Sequence, residues 1–76
     1  MNTAEKVKSI FCDTLKRDIK DDLLQKNEDR WDSFAHLDIV TRLEEEFKVS
    51  FTPNEIGDMI SLNKTISIVK EKIGET

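Results

Sequence analysis

The apolar positions of the chain fall into separate groups, and each group carries its own periodicity. Val7, Ile10, Phe11 and Leu15 recur at spacings of three, one and four, which places them on one face of an α-helix. This predicts a first helix from about Thr3 to Lys16, with Asn2 or Thr3 as N-cap and Glu5 close behind. Leu37, Val40, Leu43 and Phe47 step by three, three and four. They predict a second helix from Ser33 to about Phe47, with Ile39 widening its buried stripe. Val49 and Phe51 then alternate with polar residues, as an extended segment plugging a core would. Thr52-Pro53-Asn54-Glu55 supplies N-cap, first-turn proline and capping box in four residues. The short third helix that follows is interrupted at Gly57, with Ile56, Met59 and Ile60 expected to face inward. A last helix starts near Asn63 to Thr65 and runs to about Ile73 on the stripe Ile66, Val69 and Ile73, and Gly74 ends it.

Between the first two helices lies a polar connection of about fifteen residues, Arg17 to Trp31, and structureless segments of that length are usually functional or pinned by a few anchors. Ile19, Leu23 and Leu24 are the expected anchors, with a short helical turn among them. Asp18-x-x-Asp21-Asp22 lacks the glycine and the distant glutamate of a calcium loop, and reads as solvated. The prediction is an all-α fold. It is a small four-helix bundle, three longer helices plus one short third helix, with a long loop between helices 1 and 2. Residues 1–76 make one domain.

Composition narrows the chemistry. Two glycines and one proline leave too little turn punctuation for a many-stranded β fold. Cys12 is the one cysteine, so no internal disulfide and no Cys/His zinc cluster can form. On the helix flank it reads as a small, partly buried hydrophobe. No signal peptide, membrane span or lipidation motif is visible, and a reduced, cytoplasmic setting without membrane attachment follows as the expectation. The formal charge of −4 is concentrated: from Asp32 to Phe47 five acids face Arg42 alone, while elsewhere eleven acids balance eleven bases. A surface of that sign repels nucleic acid and attracts a basic partner.

The charged segment opens with Asp32-Ser33. A serine in the first helical turn, preceded by a capping aspartate, presents its hydroxyl at the partially positive helix end. Asp38, Glu44 and Glu45 lie off the apolar stripe and are expected at or near solvent. Acids near a helix C-terminus oppose its dipole, which leaves two readings, a role beyond folding or a merely soluble face. Phe34 falls roughly 60° off the stripe, where it either closes over the core or stays exposed as an apolar anchor for a partner. His36 sits at the edge between the faces and reads as a surface or hydrogen-bonded residue. Ser33, His36 and Asp38 share a turn and a half of helix and cannot converge as a catalytic triad, so no catalytic residue is assigned and the chain is not expected to be an enzyme.

Trp31-Asp32-Ser33-Phe34, then Leu37, Val40, Leu43-Glu44-Glu45-Glu46-Phe47, then Thr52-Pro53-x-Glu55 and Thr65-Ile66 before Ile68-Val69, together resemble the acyl carrier protein family over nearly the whole chain. The resemblance implies that a phosphopantetheinyl transferase attaches 4′-phosphopantetheine to Ser33, and that the thiol of this arm carries acyl groups as thioesters. It implies that Asp32 lies beside the transfer site. Asp38, Glu44 and Glu45 would meet basic docking patches on acyl-loading and acyl-transferring enzymes, and the carrier would act as a monomer. Phe34 stands where the family has a docking leucine, Trp31 where many housekeeping members have glycine, and Ala35 where fatty-acid carriers often have an acid. These departures are more similar to discrete carriers of specialised pathways, and Trp31 and Phe34 are expected to select the partner enzymes. Two other readings remain open: an aminoacyl or peptidyl carrier loaded by an adenylating enzyme, and an unmodified acidic helical adaptor.

Overall fold

The computed structural model describes residues 2–75. Its helices are α1 (Thr3–Leu15), α2 (Ser33–Phe47), α3 (Pro53–Gly57) and α4 (Leu62–Lys72), with a 3-10 turn at Gln25–Asn27. The four-helix architecture, the short third helix and the long first connection follow the predicted pattern.

Local rules start each helix. At α1, Asn2 accepts from the Glu5 N–H at 2.8 Å and the Glu5 carboxylate accepts from the Asn2 N–H at 3.4 Å. At α3 the same reciprocal box joins Thr52 and Glu55, with Pro53 in the first turn. At α4, Ser61 accepts from the Lys64 N–H at 2.9 Å. Helix α4 therefore begins at Leu62, slightly earlier than its stripe suggests. Both long helices α1 and α2 end on a left-handed lysine, Lys16 (φ 58°) and Lys48 (φ 57°), a position where glycine is the usual residue.

Helix α1 packs against both α2 and α4. The core is Val7, Phe11 and Leu15 from α1, Ile39, Val40 and Leu43 from α2, and Leu62 and Val69 from α4. Phe51, Met59 and Trp31 complete it from the connecting segments.

Two expectations about inward residues need correction. On α2 the buried face is centred on Ile39, Val40 and Leu43, while Leu37 is 59% exposed. The cause is His36, a polar residue on the inner flank whose ring is fully hydrogen-bonded, so the buried stripe is turned away from Leu37. Ile60 is the second. Beyond α3 the backbone turns, the Ile60 N–H donating to the Asp58 carbonyl at 2.9 Å, before Leu24 pairs with Ser61 in an isolated antiparallel bridge. The turn leaves Met59 inward, fully buried, and Ile60 outward, 60% exposed.

The long connection is pinned at several points. Ile19 and Leu23 pack against the core, whereas Leu24 is held mainly through backbone: Gln25 N–H donates to the Ile60 carbonyl and Leu62 N–H to that of Leu23, each at 3.0 Å. Arg30 donates to the carbonyls of Leu15 and Lys16 at the end of α1, and Arg17 pairs with Glu28 at 3.1 Å. Lys8 and Asp21, 2.8 Å apart, tie the connection to α1. No helix among the described residues is long and apolar enough to cross a membrane.

Candidate functional site

Ser33 is the first residue of α2, and its side chain is exposed. Asp32 caps the helix: its carboxylate accepts from the Ala35 N–H at 2.9 Å and its carbonyl from the His36 N–H. The amides of Ser33 and Phe34 stay unpaired within the helix, at its partially positive end.

What holds this corner is Trp31. Its indole is only 2% exposed and meets Phe11 of α1 edge to face, centroids 4.9 Å apart. On its other side it stacks on His36, centroids 5.9 Å apart, and the indole N–H reaches His36 Nδ1 at 2.8 Å. An indole N–H can only donate, so Nδ1 accepts and the opposite nitrogen carries the proton. That nitrogen, Nε2, lies 2.8 Å from the Ile56 carbonyl of α3. One aromatic pair thus ties the connection to α1, α2 and α3 immediately before Ser33. A partner-facing role for Trp31 is therefore corrected: a buried indole cannot be touched by another protein, and its effect on recognition can only be indirect.

The Trp31–His36 pair has a sequence signature in the rule for helix entry. A hydrophobic residue just before the N-cap often packs against the fourth helical residue. Here those positions are Trp31 and His36, and the contact gains a hydrogen bond. Helix α2 has Ala35 where α1 and α3 carry the reciprocal glutamate of a capping box, so the aromatic staple does the work of fixing its start.

Phe34 is 85% exposed and shares a face with Leu37, three residues on. Beside Ser33 the molecule therefore presents two bare apolar side chains. The acids of α2 are less available. Asp38 pairs with Arg42 at 3.1 Å, and Glu46 with Lys6 at 3.6 Å. Glu44 is half-buried and accepts from the Phe51 N–H at 2.9 Å. The carboxylate holds the segment entering α3. Glu45 is exposed. His36, engaged on both ring nitrogens, has no lone pair for the Ser33 hydroxyl, and Asp38 is turned to Arg42. No group of three or more metal-ligating side chains occurs among the described residues.

This order of helices, with an exposed serine opening the second, defines the small all-α fold of acyl carrier proteins. In particular, the chain superposes on the solution NMR structure of holo acyl carrier protein from Geobacter metallireducens with a TM-score of 0.82, at 22% identity, over 97% of this chain and 88% of that one. It also matches a chain in the structure of the ishigamide ketosynthase/chain length factor, with a TM-score of 0.79 at 20% identity over 93% of each chain. No family model and no curated protein sequence matches it.

Proposed function

We propose that the protein is a carrier whose Ser33 bears 4′-phosphopantetheine and which passes acyl groups between the enzymes of a fatty-acid, polyketide or other specialised pathway. The observation that carries this reading is the placement of Ser33: an exposed hydroxyl on the first turn of α2, in a corner made rigid by Trp31 and His36. In the transfer the Ser33 oxygen bonds to the pantetheine-side phosphorus of coenzyme A, the pyrophosphate linkage opens with adenosine 3′,5′-bisphosphate as the leaving group, and the hydroxyl proton passes to a base of the transferase. His36 is engaged on both ring nitrogens and Asp38 is turned to Arg42, so neither is placed to activate the hydroxyl.

The residues present suit the group. The unpaired amides of Ser33 and Phe34 and the end of the helix dipole favour a phosphodiester anion. Asp32, held as the N-cap, stands beside it. The arm supplies a terminal thiol on which acyl groups travel as thioesters. Phe34 and Leu37 give partner enzymes an apolar foothold beside the serine, and Glu45, with Asp38 at the rim, supplies the acidic character that basic docking patches match.

A second reading gains support from the pairing of the acids. With Asp38 and Glu46 paired to Arg42 and Lys6, and Glu44 half-buried on the Phe51 N–H, α2 presents fewer free carboxylates than its sequence suggests. That brings it nearer to an aminoacyl or peptidyl carrier. Loading separates these readings. The arm-bearing protein is offered to fatty-acyl and aminoacyl adenylating enzymes, and thioester formation is followed by mass. Acylation by the fatty-acyl system is expected, and preference for the aminoacyl system reverses the order. A chain that takes no arm, and whose partner binding is salt-sensitive and survives Ser33→Ala, is an adaptor instead.

A further inference from the structure

An exposed isoleucine and an apolar trough lie together beside the middle of the long connection. The trough has a volume of about 520 Å³ and is lined by Leu24, Gln25, Lys26 and Ile60. Its floor is rigid, because the Leu24–Ser61 bridge and the bond from Gln25 N–H to the Ile60 carbonyl fix both walls. It also adjoins the corner that holds Ser33. The Gln25 side-chain amide donates to the Trp31 carbonyl at 3.5 Å, two residues before the serine.

The interior beside Ser33 is occupied. Trp31 and His36 fill the junction of α1, α2 and α3, and Phe11, Leu43 and Met59 behind them are fully buried. An acyl chain entering there would have to displace a close-packed aromatic pair and two hydrogen bonds. The trough asks for no displacement. Its volume falls within the range of about 300–1,000 Å³ typical of small-molecule sites, and its make-up matches as well, an apolar lining with few polar groups. The second N–H of Gln25 and the Lys26 ammonium are donors suited to the carbonyl oxygens of an arm and its thioester.

We infer that the acyl group carried on the arm rests outside the bundle, in the trough between Leu24–Lys26 and Ile60. This rests on the carrier reading of Ser33. Ile60 is then an apolar contact for the cargo, which accounts for an isoleucine held 60% exposed after the turn that follows α3.

The test compares the arm-bearing protein with its octanoyl thioester by amide and methyl NMR, after intact mass has established that both the arm and the octanoyl group are present. Octanoylation is expected to shift the signals of Leu24, Gln25, Lys26 and Ile60 and to leave those of Phe11, Leu43 and Met59 in place. In the variant Ile60→Lys, whose unfolding midpoint should match the parent's, those shifts should vanish and hydroxylamine should cleave the thioester severalfold faster. Shifts centred on the core residues, or no shifts on a correctly loaded protein, overturn the trough while leaving the carrier reading intact. Failure to gain the arm at all overturns both.

Discussion

Two aromatic residues three positions apart divide the work at the candidate site. Trp31 is buried between Phe11 and His36 and belongs to folding, whereas Phe34 is bare and belongs to whatever meets the protein. Replacing Trp31 with alanine should cost about 3–5 kcal/mol, as for other large core aromatics, a large share of the 5–15 kcal/mol or so that holds a domain. Trp31→Phe is the more informative change. It retains most of the packing but leaves His36 Nδ1 without its donor, an expected loss of about 1–3 kcal/mol in urea unfolding. If Trp31→Phe matches the parent in stability, the indole hydrogen bond does not anchor the corner. Phe34→Ala should behave oppositely, with stability within about 0.5 kcal/mol of the parent. Acyl transfer with a partner enzyme should show a raised KM and little change in kcat, the signature of lost binding. A stability loss comparable to that of Trp31→Ala would place Phe34 in the fold after all.

Among the elements, α3 shows how five residues are kept helical. A helix that short is marginal by itself, and here its start is locked by the Thr52–Glu55 box. Glu55 also meets Lys72 of α4 at 2.7 Å, and the Lys72 ammonium lies 5.9 Å from the Phe51 ring centroid. The Lys72 hydrogen bond, and after it the Thr52 N–H, hold the Glu55 carboxyl below its ordinary 4.5. The folded chain thus takes up that proton less readily than the unfolded chain. The contribution to stability is complete above the ordinary value and drains away as pH falls through the lower folded one. Glu55→Gln should therefore be less stable than the parent near neutral pH, with the gap closing on acidification below that range. A gap independent of pH would mean that the charge on Glu55 is not what locks α3. The capping box of α3, and an N-cap at Asn2 or Thr3 for α1, were legible in the sequence because they are local: N-cap and partner sit three residues apart, and little else decides their geometry. The inner face of α2 was not, because a histidine counts as polar until its two hydrogen-bond partners are known, one of them twenty residues away in α3. Ile60 escaped for a related reason. Whether it faces in or out depends on the turn after α3 and on the bridge between Ser61 and Leu24, contacts with no periodic trace in the chain.

At the scale of the whole molecule, the concentration of negative charge on α2 was visible in the sequence, but its use was not. Pairing with Lys6, Arg42 and the Phe51 amide turns most of those acids toward the chain itself. Exposed pairs of this kind contribute little to stability, about 0–1 kcal/mol each, yet they reduce the free charge a partner meets. Beside Ser33 the exposed side chains of Phe34 and Leu37 make the surface apolar. The bundle is arranged so that the long connection, α1 and α3 all converge on the start of α2, through Arg30, Trp31 and His36, and the residue left projecting from that junction is Ser33. The central claim is that this hydroxyl carries the arm. It is tested most directly by intact mass, after the unmodified protein and Ser33→Ala are each incubated with coenzyme A, magnesium and a broad-specificity phosphopantetheinyl transferase. The parent should gain the mass of one phosphopantetheine and Ser33→Ala none; an unmodified parent, or a modified Ser33→Ala, would contradict the account.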